Sequence, residues 1–167
     1  MSKTQKIRQT PQSIDTIIHS FEHYALGDIN HNRCKPIAAY ILSICFIEQL
    51  SGFIYAYEIA NDKRAEQFFT DYMSDYKDIN LYHLSRHTLV HNYSSKGIFD
   101  IDNIGFDDNP HQKINGVIHI NTNVFIECLE AAFIKAKKDL LITGSPQNIN
   151  ALEYSMYFPV LVDTRDK

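Results

Sequence analysis

Tryptophan is absent from the 167 residues, and cysteine is scarce, limited to Cys34, Cys45 and Cys128. No two of the three form a Cys-x-x-Cys pair, so neither a disulfide framework nor a zinc knuckle is encoded. Cys45 and Cys128 fall inside apolar helical patterns, where a free thiol serves as a small hydrophobe. An excess of positive charge is also missing. Sixteen Lys and Arg stand against 20 Asp and Glu, a net charge of −4, which excludes broad electrostatic attraction to nucleic acid or anionic lipid. Any nucleic-acid role must come from a local site. No P-loop, G-x-G-x-x-G or G-x-S-x-G occurs, so nucleotide-cofactor and serine-hydrolase chemistry have no motif behind them. Internal repeats, low-complexity tracts and linkers are lacking as well. The polar stretch MSKTQKIRQTPQS has no apolar region of the secretory kind, and the expected setting is a reduced, cytoplasmic one.

What is present suits a globular domain. Hydrophobic residues make up 44% and charged residues 22%, with 10 Tyr, 10 Phe and 8 His. The length is that of one domain, expected to span 1–167. One segment passes close to a membrane test, Pro36 to Ala60, with a dense apolar run from Ile37 to Ile47. A span needs about 20 mostly apolar residues. Glu48, Gln49 and Ser51 interrupt this one, and no second span offers that glutamate a partner. The segment therefore reads as a buried or dimer-facing helix.

Periodicity predicts a mainly α chain of four to five helices. Ser13 caps the first, whose apolar face is Ile14, Ile17, Ile18, Phe21 and Leu26. Gly27 and Asn30 to Lys35 read as a connection, and Pro36 suits the first turn of the second helix. Asn61 or Asp62 is expected to cap a third, with Ala65, Phe68, Phe69, Tyr72 and Met73 as its stripe. Asp78 is expected to cap a fourth, running from Ile79 to about Tyr93. The period then changes. Gly97 to Ile101 and Gly116 to Ile120 read as two strands of a small hairpin insertion spanning about 97–120. Asn121 or Thr122 caps a fifth helix, which Gly144 stops. A C-terminal extension over about 146–167 holds a short helix after Pro146 and an extended run from Tyr157 to Val162.

The fourth helix carries the chemistry. It reads Leu81-Tyr-His-Leu-Ser-Arg86-His87-Thr-Leu-Val-His91-Asn92-Tyr93. Arg86, a spacer of four, His91, a spacer of one and Tyr93 resemble the signature of the HEPN superfamily, small helical domains that include metal-independent ribonucleases of toxin–antitoxin and defence systems. His87 fills the polar position of that pattern, and Tyr93 resembles the HepT toxin branch. The motif covers eight residues, and the helical context extends the resemblance to about residues 12–142. The resemblance implies an HEPN-like helical bundle. It also implies a catalytic pair of Arg86 and His91, supporting polar groups His87 and Asn92, no metal and no cofactor. Its implied partners are an RNA substrate, a second copy of the chain, and a nucleotidyltransferase antitoxin that adenylylates the tyrosine at position 93. Neither DNA nor a membrane is expected as a partner.

The residue types suit that chemistry. Cutting RNA without metal needs a base for the ribose 2′-OH, an acid for the leaving oxygen and positive charge on the phosphorane. Histidine near its ordinary pKa of about 6.5 can take either proton role. Arginine stays charged and offers a planar fork to phosphate oxygens. Positions five apart on an α-helix lie about 140° apart around the axis. Arg86 and His91 therefore converge most readily across a two-fold axis. Exposed apolar surface on the second helix is the other reason to expect a homodimer. Glu48, inside an apolar helix, needs a partner if buried, and reads either as a carboxylate orienting Arg86 or a histidine, or as a residue reaching solvent.

Alternatives remain at this point. An HEPN module without catalysis would bind RNA, nucleotide or a protein partner. His83, His87 and His91, spaced i, i+4, i+8, permit a helical metal site, although no HExxH accompanies them. The acidic stretch Asp100 to Asp108 fails as a calcium loop, since Ile104 and His111 occupy ligand positions.

Overall fold

The computed structural model describes residues 10–86, 89, 97, 99–102 and 109–162. Ser13 opens α1 (Ile14–Ser20), its hydroxyl accepting from the Thr16 N–H. The rod continues through a π-helical turn (Phe21–Ala25) into α2 (Leu26–His31). Gly27 thus lies inside a helix and not in a connection: the apolar face Ile17–Phe21–Ile29 is continuous across it, and packing overrides the weak propensity of one glycine. The connection is confined to residues 32–35. The next helix, α3 (Pro36–Ile54), opens on its proline as expected and ends six residues before Ala60.

The core forms around α3. Phe21 meets Phe46, Phe53 and Phe133 edge-on, at centroid distances of 5.4, 5.2 and 6.3 Å, the arrangement aromatic quadrupoles favour. Ala39, Tyr40, Ile44, Ile47, Leu50, Phe53 and Ile54 are all within 1% of complete burial. α3 is the one helix among the described residues long and apolar enough to cross a membrane, and most of it is buried against the rest of the chain. That burial corrects the expectation of a large exposed apolar face on this helix; α4, α6 and α7 already cover it within one subunit.

α4 (Asn61–Tyr72) buries Ala65, Phe68 and Phe69. Neither Asn61 nor Asp62 caps it. The cap position is Ala60, whose methyl group cannot accept a hydrogen bond, and the Asn61 amide is bonded to Glu48 and Arg64 instead. Asp62 in the first turn still complements the helix dipole. After a 3₁₀ turn (Ser74–Tyr76), α5 (Leu81–Ser85) begins later than expected and without Asp78 as its cap. Asn80 stands in the left-handed region (φ 44°, ψ 41°) and so ends the preceding turns. Winding changes at the end of α5: Arg86 and Leu89 are π-helical.

The β region is a three-stranded sheet of order β1-β3-β2, where a two-stranded hairpin was expected. β1 (Phe99–Asp102) and β3 (Val117–Asn121) are the two expected strands, but they pair in parallel, with Asp100 opposite His119. The hairpin partner of β3 is β2 (His111–Ile114). Asn115 and Gly116, both with positive φ (50° and 86°), form its two-residue turn, as an Asn-Gly pair prefers. α6 (Thr122–Leu141) starts on Asn121, whose Oδ1 accepts from the Val124 N–H at 3.3 Å. α7 (Pro146–Ser155) follows, capped by Ser145. With α1, the π-turn and α2 taken as one rod, the described residues hold six helical rods, so the chain is mainly helical with a small sheet.

Candidate functional site at the end of the motif helix

Two adjacent residues fasten α5 to α3. Ser85 Oγ donates to Leu81 O at 2.6 Å, which uses its single hydrogen, so the Tyr40 hydroxyl must be the donor in its 2.7 Å bond to Ser85. Both groups are buried. Burial also pushes the Tyr40 phenol well above its usual range and keeps it a neutral donor.

Arg86 is next along the chain and pairs with Glu48 of α3 through Nη1. The same nitrogen donates to the Tyr82 hydroxyl at 3.0 Å. Its two hydrogens are thereby used, and among the described residues the Nε–Nη2 edge has no protein partner. The Arg86 side chain is 34% exposed and that of Glu48 23%, so water reaches the pair. Burial pushes the Tyr82 phenol up to about 12, so at neutral pH it is a hydroxyl and not a phenolate.

Glu48 is held from its other side. Asn61 Nδ2 donates to Glu48 Oε1 at 3.0 Å, while Asn61 Oδ1 accepts from Arg64 Nη2 at 2.5 Å. Only this orientation of the amide satisfies both charged neighbours. Arg64 is 2% exposed, donates from Nη1 to Tyr57 O at 3.2 Å and sits 5.2 Å from the centroid of the Tyr154 ring. No carboxylate within ion-pair distance faces it among the described residues. A chain of contacts therefore runs from the buried Arg64 through Asn61 and Glu48 to the accessible Arg86. Asn61, Asp62, Tyr82, His83 and Arg86 line an open cleft of about 300 Å³.

Of the site residues expected from sequence, the structure brings Glu48 and Arg86 together. His87, His91, Asn92 and Tyr93 lie outside the described residues. Sequence reasoning missed Asn61, Arg64 and Tyr82 as contributors. All three had a spacing signal, since Tyr82 and Arg86 stand at i, i+4 and Asn61 and Arg64 at i, i+3. His83, read from sequence only as a possible metal ligand, lines the cleft. Arg86 itself is π-helical and not α-helical.

No family model, curated protein or solved structure matches this chain.

Proposed function

We propose that the protein is an HEPN-like, metal-independent ribonuclease that works as a toxin or defence effector, with its active site at the cleft of a homodimer. The observation that carries this reading is the Glu48–Arg86 pair. A carboxylate two-thirds along the central core helix, only partly in reach of water, needs a cation, and Arg86 supplies it. Here it fixes one corner of a guanidinium whose remaining edge matches two phosphate oxygens. The arginine is the first residue of the Arg86-x4-His91-x-Tyr93 motif.

In this reading Arg86 stabilises the phosphorane, and His91 transfers a proton to or from the ribose and leaving-group oxygens. His87 and Asn92 support them, and Glu48 positions Arg86. No metal or cofactor takes part. A second copy as the neighbour that completes the cleft rests on the resemblance alone, since Arg86 is π-helical and no large exposed apolar face on α3 argues for it. The resemblance also implies a nucleotidyltransferase antitoxin acting on Tyr93, and a phosphate so added would compete with substrate if it reached Arg86.

The test is RNA cleavage in EDTA by purified protein. Wild type is expected to cut. His91→Ala should lose about 10²–10⁴-fold in rate, the usual worth of a general acid or base. Arg86→Lys should fail too, because a point charge does not reproduce the planar fork. Cleavage by His91→Ala at the wild-type rate would exclude the assignment, and a wild type inert in EDTA would favour a binding module.

A further inference from the structure

Arg64 is a buried cation without a counter-ion. It is 2% exposed, and among the described residues no carboxylate stands within ion-pair distance of it. Its partners are neutral ones, the Tyr57 carbonyl, Asn61 Oδ1 and the Tyr154 hydroxyl. A guanidinium carries five N–H donors, and here the Nε is buried with no acceptor. A charge held out of water in this way is costly unless an opposite charge reaches it.

The residue forms part of the wall of an open cavity of about 380 Å³, a volume at the low end for small-molecule sites. The protein holds the guanidinium still, through the Asn61 amide and through the Tyr57 carbonyl at 3.2 Å. Glu58 follows that carbonyl in the chain and lines the same cavity. It is exposed, and its carboxylate makes no hydrogen bond or ion pair among the described residues. Two opposite charges thus border one opening without pairing with each other.

That pairing of charges selects the ligand. A simple anion drawn to Arg64 would be opposed by Glu58, and a simple cation drawn to Glu58 would be opposed by Arg64. A molecule carrying both charges on one carbon satisfies both residues, and a carboxylate is the group a guanidinium fork fits best. The remaining wall includes Tyr57, Ile59 and Tyr154, the last backed by Phe53 at 4.9 Å. Such a surface suits an apolar body. We propose that the cavity binds a free amino acid with an apolar or aromatic side chain, its carboxylate on Arg64 and its ammonium on Glu58. The inference goes beyond the ribonuclease reading, since it assigns a second site and needs no RNA.

Isothermal titration calorimetry of the purified chain with L-phenylalanine is the test. Two analogues each lack one charge: L-phenylalaninamide has no carboxylate, and hydrocinnamate has no ammonium. Wild type should bind L-phenylalanine about 10- to 100-fold more tightly than either analogue, the usual worth of a hydrogen bond to a charged group. Glu58→Gln, at an exposed position, should keep the helical circular dichroism of the parent. It should weaken L-phenylalanine about 10-fold or more while hydrocinnamate binds as well as before or better. No saturable binding of L-phenylalanine or L-leucine at millimolar concentrations overturns the site. Equal affinity for L-phenylalaninamide does so too, because Arg64 would then meet no carboxylate. Hydrocinnamate binding as tightly as L-phenylalanine, or a Glu58→Gln variant indifferent to the ammonium, reduces the cavity to a plain anion pocket and overturns the amino-acid assignment.

Discussion

Glu48 and Arg86 form the one ion pair, among the described residues, that joins the central helix α3 to the end of α5. The pair is partly hydrated, so its worth to stability is modest, about 1 kcal/mol or less. Its geometric effect is larger. Glu48 holds Nη1 in place, and the edge that the proposed mechanism turns to phosphate is aimed by that contact.

Glu48→Gln should therefore separate binding from catalysis. Removing the negative charge raises the local potential, so KM for RNA should stay level or fall. The guanidinium is held less firmly, and kcat should drop by about 10- to 100-fold, the usual cost of a misplaced catalytic group. Steady-state kinetics on a defined oligonucleotide read both constants. A rise in KM with unchanged kcat would assign Glu48 to binding only.

At Gly52 the Tyr154 ring of α7 lies directly against α3. A Cβ there would stand 2.6 Å from the Tyr154 hydroxyl oxygen, with the ring nearer still. Gly52→Ala must then push the Tyr154 ring, which is buried between Phe53 and the Arg64 guanidinium. Overpacking of this kind costs about 1–3 kcal/mol. Urea denaturation should show that loss as a lower midpoint at unchanged slope. An unshifted midpoint would mean that α7 moves away freely.

Much of this arrangement is written in the sequence at short range. Ser13, Asn121, Pro36 and Pro146 mark helix starts that the structure has, because a cap needs only its own turn. Asn61 misled for the opposite reason: its amide has the right chemistry for a cap, but Glu48 and Arg64 compete for it from a distance. The sheet was half legible. The strands 99–102 and 117–121 fall where β-branched residues predict them, yet parallel or antiparallel pairing depends on where β2 inserts. Asn115-Gly116 was the overlooked signal, since that pair between Ile114 and Val117 marks a hairpin directly. In the site, the need of Glu48 for a cation was readable from its apolar setting. Which cation answers it depends on the packing of α5 on α3 through Tyr40 and Ser85, which no local pattern encodes.

Alkaline pH should unfold the protein over a defined range. Burial raises the phenols of Tyr40, Tyr55, Tyr72, Tyr76 and Tyr154, and takes Tyr82 to about 12. Each phenol ionises near 10 once unfolded. The stability these groups contribute is thus fully present below pH of about 10 and is lost as pH rises towards the folded values. Phenolate absorbance and circular dichroism, followed together, should change in one cooperative step above pH of about 10. Tyrosines titrating independently near pH 10 with the helices intact would contradict their burial.

The contact chain from Arg64 to Arg86 makes the strongest claim, because it couples a buried residue to an accessible one through Asn61. Asn61→Leu keeps the side-chain volume but leaves Glu48 Oε1 and Arg64 Nη2 without their partner. Arg64 is 2% exposed and its Nε already lacks a partner, so a further orphaned donor cannot turn to water. The expected loss of stability is about 1–3 kcal/mol. If the chain acts as a unit, Asn61→Leu and Glu48→Gln disturb the same guanidinium, and their effects on kcat should fall short of additive. The double variant should then be little worse than the poorer single one, with a coupling of about 0.5–3 kcal/mol. Four proteins suffice for the cycle, with kcat and denaturation midpoint measured on each. Strict additivity in kcat would mean that Asn61 serves the fold alone and that Glu48 positions Arg86 without it.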